Sequence, residues 1–139
     1  TDLNADVIIV AVRNGYPVSY EVTDSEIDIS NLTVLAAGTF SATAEMASLI
    51  KETDQFKYIF HEGNYRNVYM CTVGSEYLMV IVFKKETALG LVRVLAQNVV
   101  TRLEELVNDL KKENKQAVKV LDEGFKSLLN KELDKTFGF

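Results

Sequence analysis

Hydrophobic and polar positions fall into three rhythms along this chain. The first is the short, nearly unbroken apolar block. Asp6 to Arg13, DVIIVAVR, has the pattern of a central strand covered on both faces. Asn14-Gly15 follows, a pair favoured in tight hairpin turns because both residues tolerate positive φ. Tyr16 to Val22 returns as a second strand. Pro17 has no amide hydrogen, so this strand belongs at an edge. Lys57 to Glu62, Val68 to Val73 and Tyr77 to Lys84 are three more strands. Their links at Gly63-Asn64 and Gly74-Ser75 are short, which predicts an antiparallel meander.

The second rhythm occupies Ser30 to Ile50, a helical stretch that is apolar almost all the way round. Leu32, Leu35, Phe40, Met46, Leu49 and Ile50 are its large groups, and Ala36, Ala37, Gly38, Ala42, Ala44 and Ala47 fill other directions. A surface helix needs only one apolar stripe. Small residues also let a neighbouring helix backbone come close. The helix is therefore expected to pack on its own sheet with one side and on a partner with another. Thr23 to Ser30 is a polar, acidic connection; Ser30 or Asn31 is the expected cap, and the helix should end near Lys51.

The third rhythm is a repeat of three or four. Leu89, Val92, Leu95, Val99, Leu103, Leu106 and Leu110 share one face of a helix over Ala88 to Leu110. A last helix is predicted from Gln116 to about Asp134, with Val118, Leu121, Phe125, Leu128 and Leu129 as its stripe and Leu133 at its end. Gly124 lies inside it at a propensity cost of about 1 kcal/mol, which predicts a bend or a close contact there.

Composition narrows the function classes. A chain of 139 residues that is 47% hydrophobic holds one domain with a real core rather than two. The net charge is −5, and the one basic run, Lys111 to Lys115, is interrupted by Glu113, so no nucleic-acid partner is expected. Cys71 is the single cysteine; no intrachain disulfide can form, and a buried inert thiol in a cytoplasmic protein is the expectation. No uninterrupted apolar run approaches the roughly 20 residues that cross a bilayer, and no signal peptide is visible, although a start at Thr1 leaves the true beginning open.

Candidate chemistry is sparse. His61 is the only histidine, and with Cys71 it falls short of the four ligands of a structural zinc site. Asp24, Glu26 and Asp28 alternate as in a calcium loop, but the glycine turn and terminal glutamate of such a loop are missing. There is no GxxxxGK[ST] element, and Gly90 is read as a site of tight packing on the sheet. Arg13, Arg66, Arg93 and Arg102 are the arginines. Any exposed one could act as an arginine finger on another protein's nucleotide, with an ordinary surface role as the alternative. The expectation is no cofactor, no metal and no active site of the chain's own.

In this order the elements resemble the Roadblock/LC7 family, most closely its MglB-type members from bacterial polarity and gliding. The hairpin VAVRNGYPVSY (Val10 to Tyr20) is similar to the family's opening. LTVLAAGTFSATAEMASLI (Leu32 to Ile50) is similar to its alanine-rich dimer helix. FHEGNYRNVYMCTVGSEYLMVIVF (Phe60 to Phe83) with ALGLVRV (Ala88 to Val94) is similar to its meander and the start of its last helix. The tail LDEGFKSLLNKEL (Leu121 to Leu133) resembles the extension of MglB-type proteins.

The resemblance implies an α/β fold of the α+β sandwich kind. It has a five-stranded antiparallel sheet of order 2-1-5-4-3 with long helices on both faces. Residues 1–111 would form the Roadblock/LC7-like domain and 112–139 a helical extension. It implies a homodimer in which the alanine-rich helices pair and the third strands join into one continuous sheet. The seam would comprise Leu35, Ala36, Ala37, Phe40, Ala44, Ala47, Tyr58 and Phe60, with Phe125, Leu128 and Leu129 as a possible partner anchor. It also implies a Ras-like small GTPase as partner. Hydrolysis would be stimulated by arranging the GTPase's own switch residues, with no arginine lent; the alternative is an adaptor that binds the GTPase and leaves hydrolysis unchanged.

The family domain usually begins with a helix, and here only Thr1 to Asn4 precede the first strand. Three fillers of the vacated face are open: a helix missing from this sequence, the Gln116 to Asp134 helix folded back, or a partner. The fold-back is the favoured one.

Overall fold

The computed structural model describes residues 5–52, 56–113 and 118–137, with side chains given outside 110–125. Five strands, β1 (Ala5–Val12), β2 (Pro17–Val22), β3 (Tyr58–His61), β4 (Arg66–Val73) and β5 (Tyr77–Lys84), form one antiparallel sheet of order β2-β1-β5-β4-β3. Helix α1 (Ile29–Leu49) follows β2, and α2 (Leu89–Glu113) and α3 (Val118–Phe137) follow β5.

The apolar block of β1 is central because it bonds β2 on one side and β5 on the other. Alternation then splits the core into two layers. Val7, Ile9, Ala11, Leu78, Val80 and Val82 lie under α1. Ile8, Val10, Met79, Ile81 and Phe83 lie under α2 and α3, where they meet Val92, Val99, Leu103, Leu129, Leu133 and Phe137. The last helix does fold back: it lies against α2 and β2, tied to α2 by an Arg102–Glu132 ion pair at 2.8 Å and to β2 by the Ser19 hydroxyl on Asn130.

Local signals differ from expectation at several points. The hairpin turn has positive φ at Gly15 alone, at +98°, and not at Asn14. Gly15 N–H donates to the Val12 carbonyl at 2.9 Å and Val12 N–H to the Tyr16 carbonyl at 2.9 Å, a longer turn than the two-residue kind, with the ladder shifted between Val10 and Ala11. Gly15 also lets the turn touch α1, since a Cβ there would sit 3.1 Å from the Val34 Cα. Asp28, not Ser30 or Asn31, caps α1: its carboxylate accepts from the Asn31 N–H at 3.1 Å. The helix ends as expected, with Lys51 left-handed at φ +62° and Glu52 N–H returning to the Ala47 carbonyl at 2.8 Å. Gly90 is exposed and a Cβ there would meet nothing within 4 Å, so close packing on the sheet is not its role.

Candidate functional site

The surface that stands out is the outer face of α1. Its fully buried residues are small: Thr33, Ala36, Ala37 and Ala47 lie against the sheet, with Ile29, Leu32 and Phe40 half-buried beside them. The Thr33 hydroxyl donates to the Ile29 carbonyl at 2.6 Å, so the polar group is satisfied inside the helix. The outward side is large and apolar: Leu35 is 70% exposed, Met46 59%, Leu49 82% and Ile50 66%. Leu35, Gly38, Ala42, Met46 and Leu49 step by three or four and share one stripe. A Cβ on Gly38 would meet nothing within 4 Å, so nothing in this subunit requires a glycine there.

The expected seam residues differ in how much surface they expose. Ala36, Ala37 and Ala47 have almost no surface to offer a partner, because they bring α1 down onto its own sheet. Phe40 is half-buried and, with the half-buried Ala44, lines a cleft of about 110 Å³ shared with Arg13, Ala37, Thr72 and Leu78. Only Leu35 of the predicted helix residues lies fully on the outer stripe. By length and composition α1 could also cross a bilayer, which the count of unbroken apolar runs missed because threonines, serines and Glu45 interrupt it; in the fold it is docked on the sheet.

Beside α1, β3 is an edge strand that, among the described residues, bonds β4 alone. Its outer main-chain groups are therefore open to pair with another strand. The predicted seam residues Tyr58 and Phe60 point to the α2 side and are half-buried there. Tyr58 stacks on Tyr69 with ring centroids 5.3 Å apart, and Phe60 on Phe83 at 6.3 Å. Any joining of sheets at β3 thus runs through the backbone.

Two residues of the possible partner anchor are described. Leu129 is fully buried in the home core and Leu128 is half-buried. The Phe125 side chain lies outside the described residues.

The arginines are mostly engaged. Arg66 Nε pairs with Asp6 at 3.1 Å and its Nη2 with Asp24 at 3.4 Å. Asp6 is buried at the start of β1 and also meets the Thr23 hydroxyl at 3.4 Å, so this cluster ties β1, β4 and the acidic connection together. Arg93 lies 4.8 Å over the Tyr58 ring. Arg13 is exposed. The Asp6–Arg66 link was invisible in the sequence, where Asp6 only opens an apolar run.

Cys71 is buried, and burial first, then the nearby Glu104 carboxylate, pushes its thiol up from 9.0 to about 12. A thiol held neutral is not a nucleophile at neutral pH. Burial likewise raises Tyr69 from 10.0 to about 12. His61 is exposed at the end of β3, and among the described residues no three His, Cys, Asp or Glu side chains gather where a metal could bind.

Known proteins match this architecture. Residues 3–83 match the Roadblock/LC7 domain. The chain superposes on MglB of Myxococcus xanthus with a TM-score of 0.73 and 33% identity, covering 78% of this chain and 87% of that one. The gliding protein mglB of Thermus thermophilus superposes with a TM-score of 0.71 at 22% identity, over 78% of this chain and 82% of that one. An uncharacterised protein of Aquifex aeolicus (strain VF5) is 23% identical over 139 residues, 99% of this chain and 83% of the relative. The chain therefore belongs to the Roadblock/LC7 domain family and has the MglB-type form of its fold.

Proposed function

We propose that this protein is a homodimer that regulates a Ras-like small GTPase. It stimulates hydrolysis by holding the GTPase's own switch residues in a competent arrangement. The observation that carries the reading is the unpartnered apolar stripe of α1, with Leu35, Met46 and Leu49 exposed around Gly38 and Ala42. Exposed apolar groups at this density mark a contact surface. Two such stripes side by side, next to sheets joined at β3, make a platform that one copy lacks. The GTPase binds across it, and hydrolysis rises because the platform favours one conformation of the partner. The reading lends no arginine to the nucleotide site: Arg66 and Arg102 already hold carboxylates and Arg93 lies on Tyr58, and the exposed Arg13 is given no role there.

The test is a hydrolysis assay with the small GTPase that co-purifies from native extract. Wild-type protein raises the single-turnover rate at saturation. Ala42→Glu, on the outer stripe, leaves a folded monomer by light scattering and abolishes the effect. Binding with an unchanged rate would replace the activator by an adaptor.

A further inference from the structure

We propose that Asp6, Arg66 and Asp24 form a salt-sensitive strap that fixes the start of α1 on the sheet. Its consequence for self-association rests on the reading of α1 as the contact surface; the strap itself does not.

β1 carries an extra residue near its beginning. Ala5 pairs with Phe83 and Val7 with Val82, so Asp6 is a bulge that drops out of the ladder. Ala5 faces the α2 layer and Val7 the α1 layer, although residues two apart in a regular strand share a face. The bulge puts a carboxylate inside the protein, where Asp6 is 6% exposed. Beyond its 3.1 Å ion pair with Arg66 Nε, the Asp6 Oδ2 has no hydrogen-bond partner among the described residues. A buried carboxylate is costly without a cation beside it, so this end of the strap is firmly set.

The other end reaches the approach to α1. Arg66 shares its strand face with Val68 and Met70, which lie on the α1 side. Its Nη2 meets the Asp24 Oδ2 at 3.4 Å. Asp24 in turn shapes the entry into the helix. Its Oδ1 accepts the Glu26 N–H at 3.0 Å, its carbonyl accepts the Ile27 N–H at 3.2 Å, and Asp28 then caps α1. The alternating acids that look like a calcium loop in the sequence are a turn and a cap. One of them, Asp24, both builds the turn and ties it to the sheet.

α1 depends on this tie more than α2 would. Its fully buried residues are Thr33 and three alanines, whereas α2 buries Val92, Val99, Val100 and Leu103. An element with little buried apolar area opens locally before the rest of the fold. The Asp24–Arg66 link is also within reach of solvent, with side chains 36% and 46% exposed, so dissolved salt screens it. The Asp6 side chain is 8% exposed and is screened much less. Salt therefore loosens the α1 end of the strap and leaves the β1–β4 end in place.

Asp24→Asn tests the strap, because it keeps one oxygen for the Glu26 N–H and turns an NH2 toward Arg66. With the protein diluted to a monomer in about 50 mM NaCl, hydrogen exchange is read by mass spectrometry. Exchange over residues 29–37 of α1 should quicken about threefold, with residues 96–103 of α2 unchanged. Raising NaCl to about 500 mM should do the same to the wild type and add nothing in Asp24→Asn. Arg66→Gln should quicken α1 at least as much, and adding Asp24→Asn to it should bring no further change. If Arg66→Gln does not fold, Asp24→Asn and the salt series decide. At higher concentration, sedimentation should show self-association weakened about threefold by Asp24→Asn or by salt, whereas a purely apolar contact carries no charge to screen. Unchanged α1 exchange in Asp24→Asn overturns the strap. So does equal quickening in α2, and so do effects of the two substitutions that add. A wild type that never dimerises, yet whose α1 exchange responds to salt and to Asp24→Asn, would uphold the strap and overturn the contact-surface reading instead.

Discussion

The two faces of the sheet are closed to different degrees. Under α2 and α3, large side chains meet large side chains: Val92, Leu103, Leu129 and Leu133 are each 0% exposed. Under α1 the fully buried inward residues are no larger than threonine, Ile29, Leu32 and Phe40 are only half-buried beside them, and Leu35 and Leu49 point out at 70% and 82% exposure. A helix with a small inner side sits close to its sheet but leaves its bulky apolar groups uncovered. The same kind of residue therefore builds the core in one layer and a contact surface in the other. Apolar content by itself does not say which.

Breaking the closed layer should cost most. Leu133→Ala removes a fully buried side chain from α3, and a loss of about 2–5 kcal/mol in unfolding free energy is expected by urea denaturation. A loss under about 0.5 kcal/mol would mean that α3 is not part of the core. Cys71 sharpens the same comparison by pH. Its folded thiol titrates near 12 against 9.0 ordinarily, so the neutral form is favoured in the native state. The corresponding stability is complete below 9.0 and falls as pH rises toward 12. Cys71→Val should lose less stability than wild type between these pH values, measured by urea unfolding at each pH.

Smaller effects belong to the open layer. Asp28→Ala removes the carboxylate that holds the Asn31 N–H, and about 1 kcal/mol should be lost. Leu49→Ser should change the stability of the dilute monomer by about 0.5 kcal/mol or less while weakening self-association in sedimentation. An equal cost for Leu49→Ser and Leu133→Ala would erase the distinction between the layers.

Much of this was legible without coordinates. The fifth strand, Tyr77 to Lys84, has the observed limits, because a dense apolar run bounded by turn residues has few other solutions. The two late helices were placed by their repeat of three and four, a pattern a strand cannot use. The orientation of α1 was not legible. Alanines and leucines alternate around its whole circumference, so no single stripe stands out, and the side that meets the sheet is decided by how close the backbone must come.

The linear chain thus determined the elements, their order and the surplus of apolar surface, since each follows from spacing within a few residues. Only the tertiary structure decided where that surplus ends up. Asp6 finds Arg66 across the sheet, Asn130 finds Ser19, and the alanines of α1 turn inward. Those choices depend on distances between residues far apart in the chain, which close packing sets and local pattern does not encode.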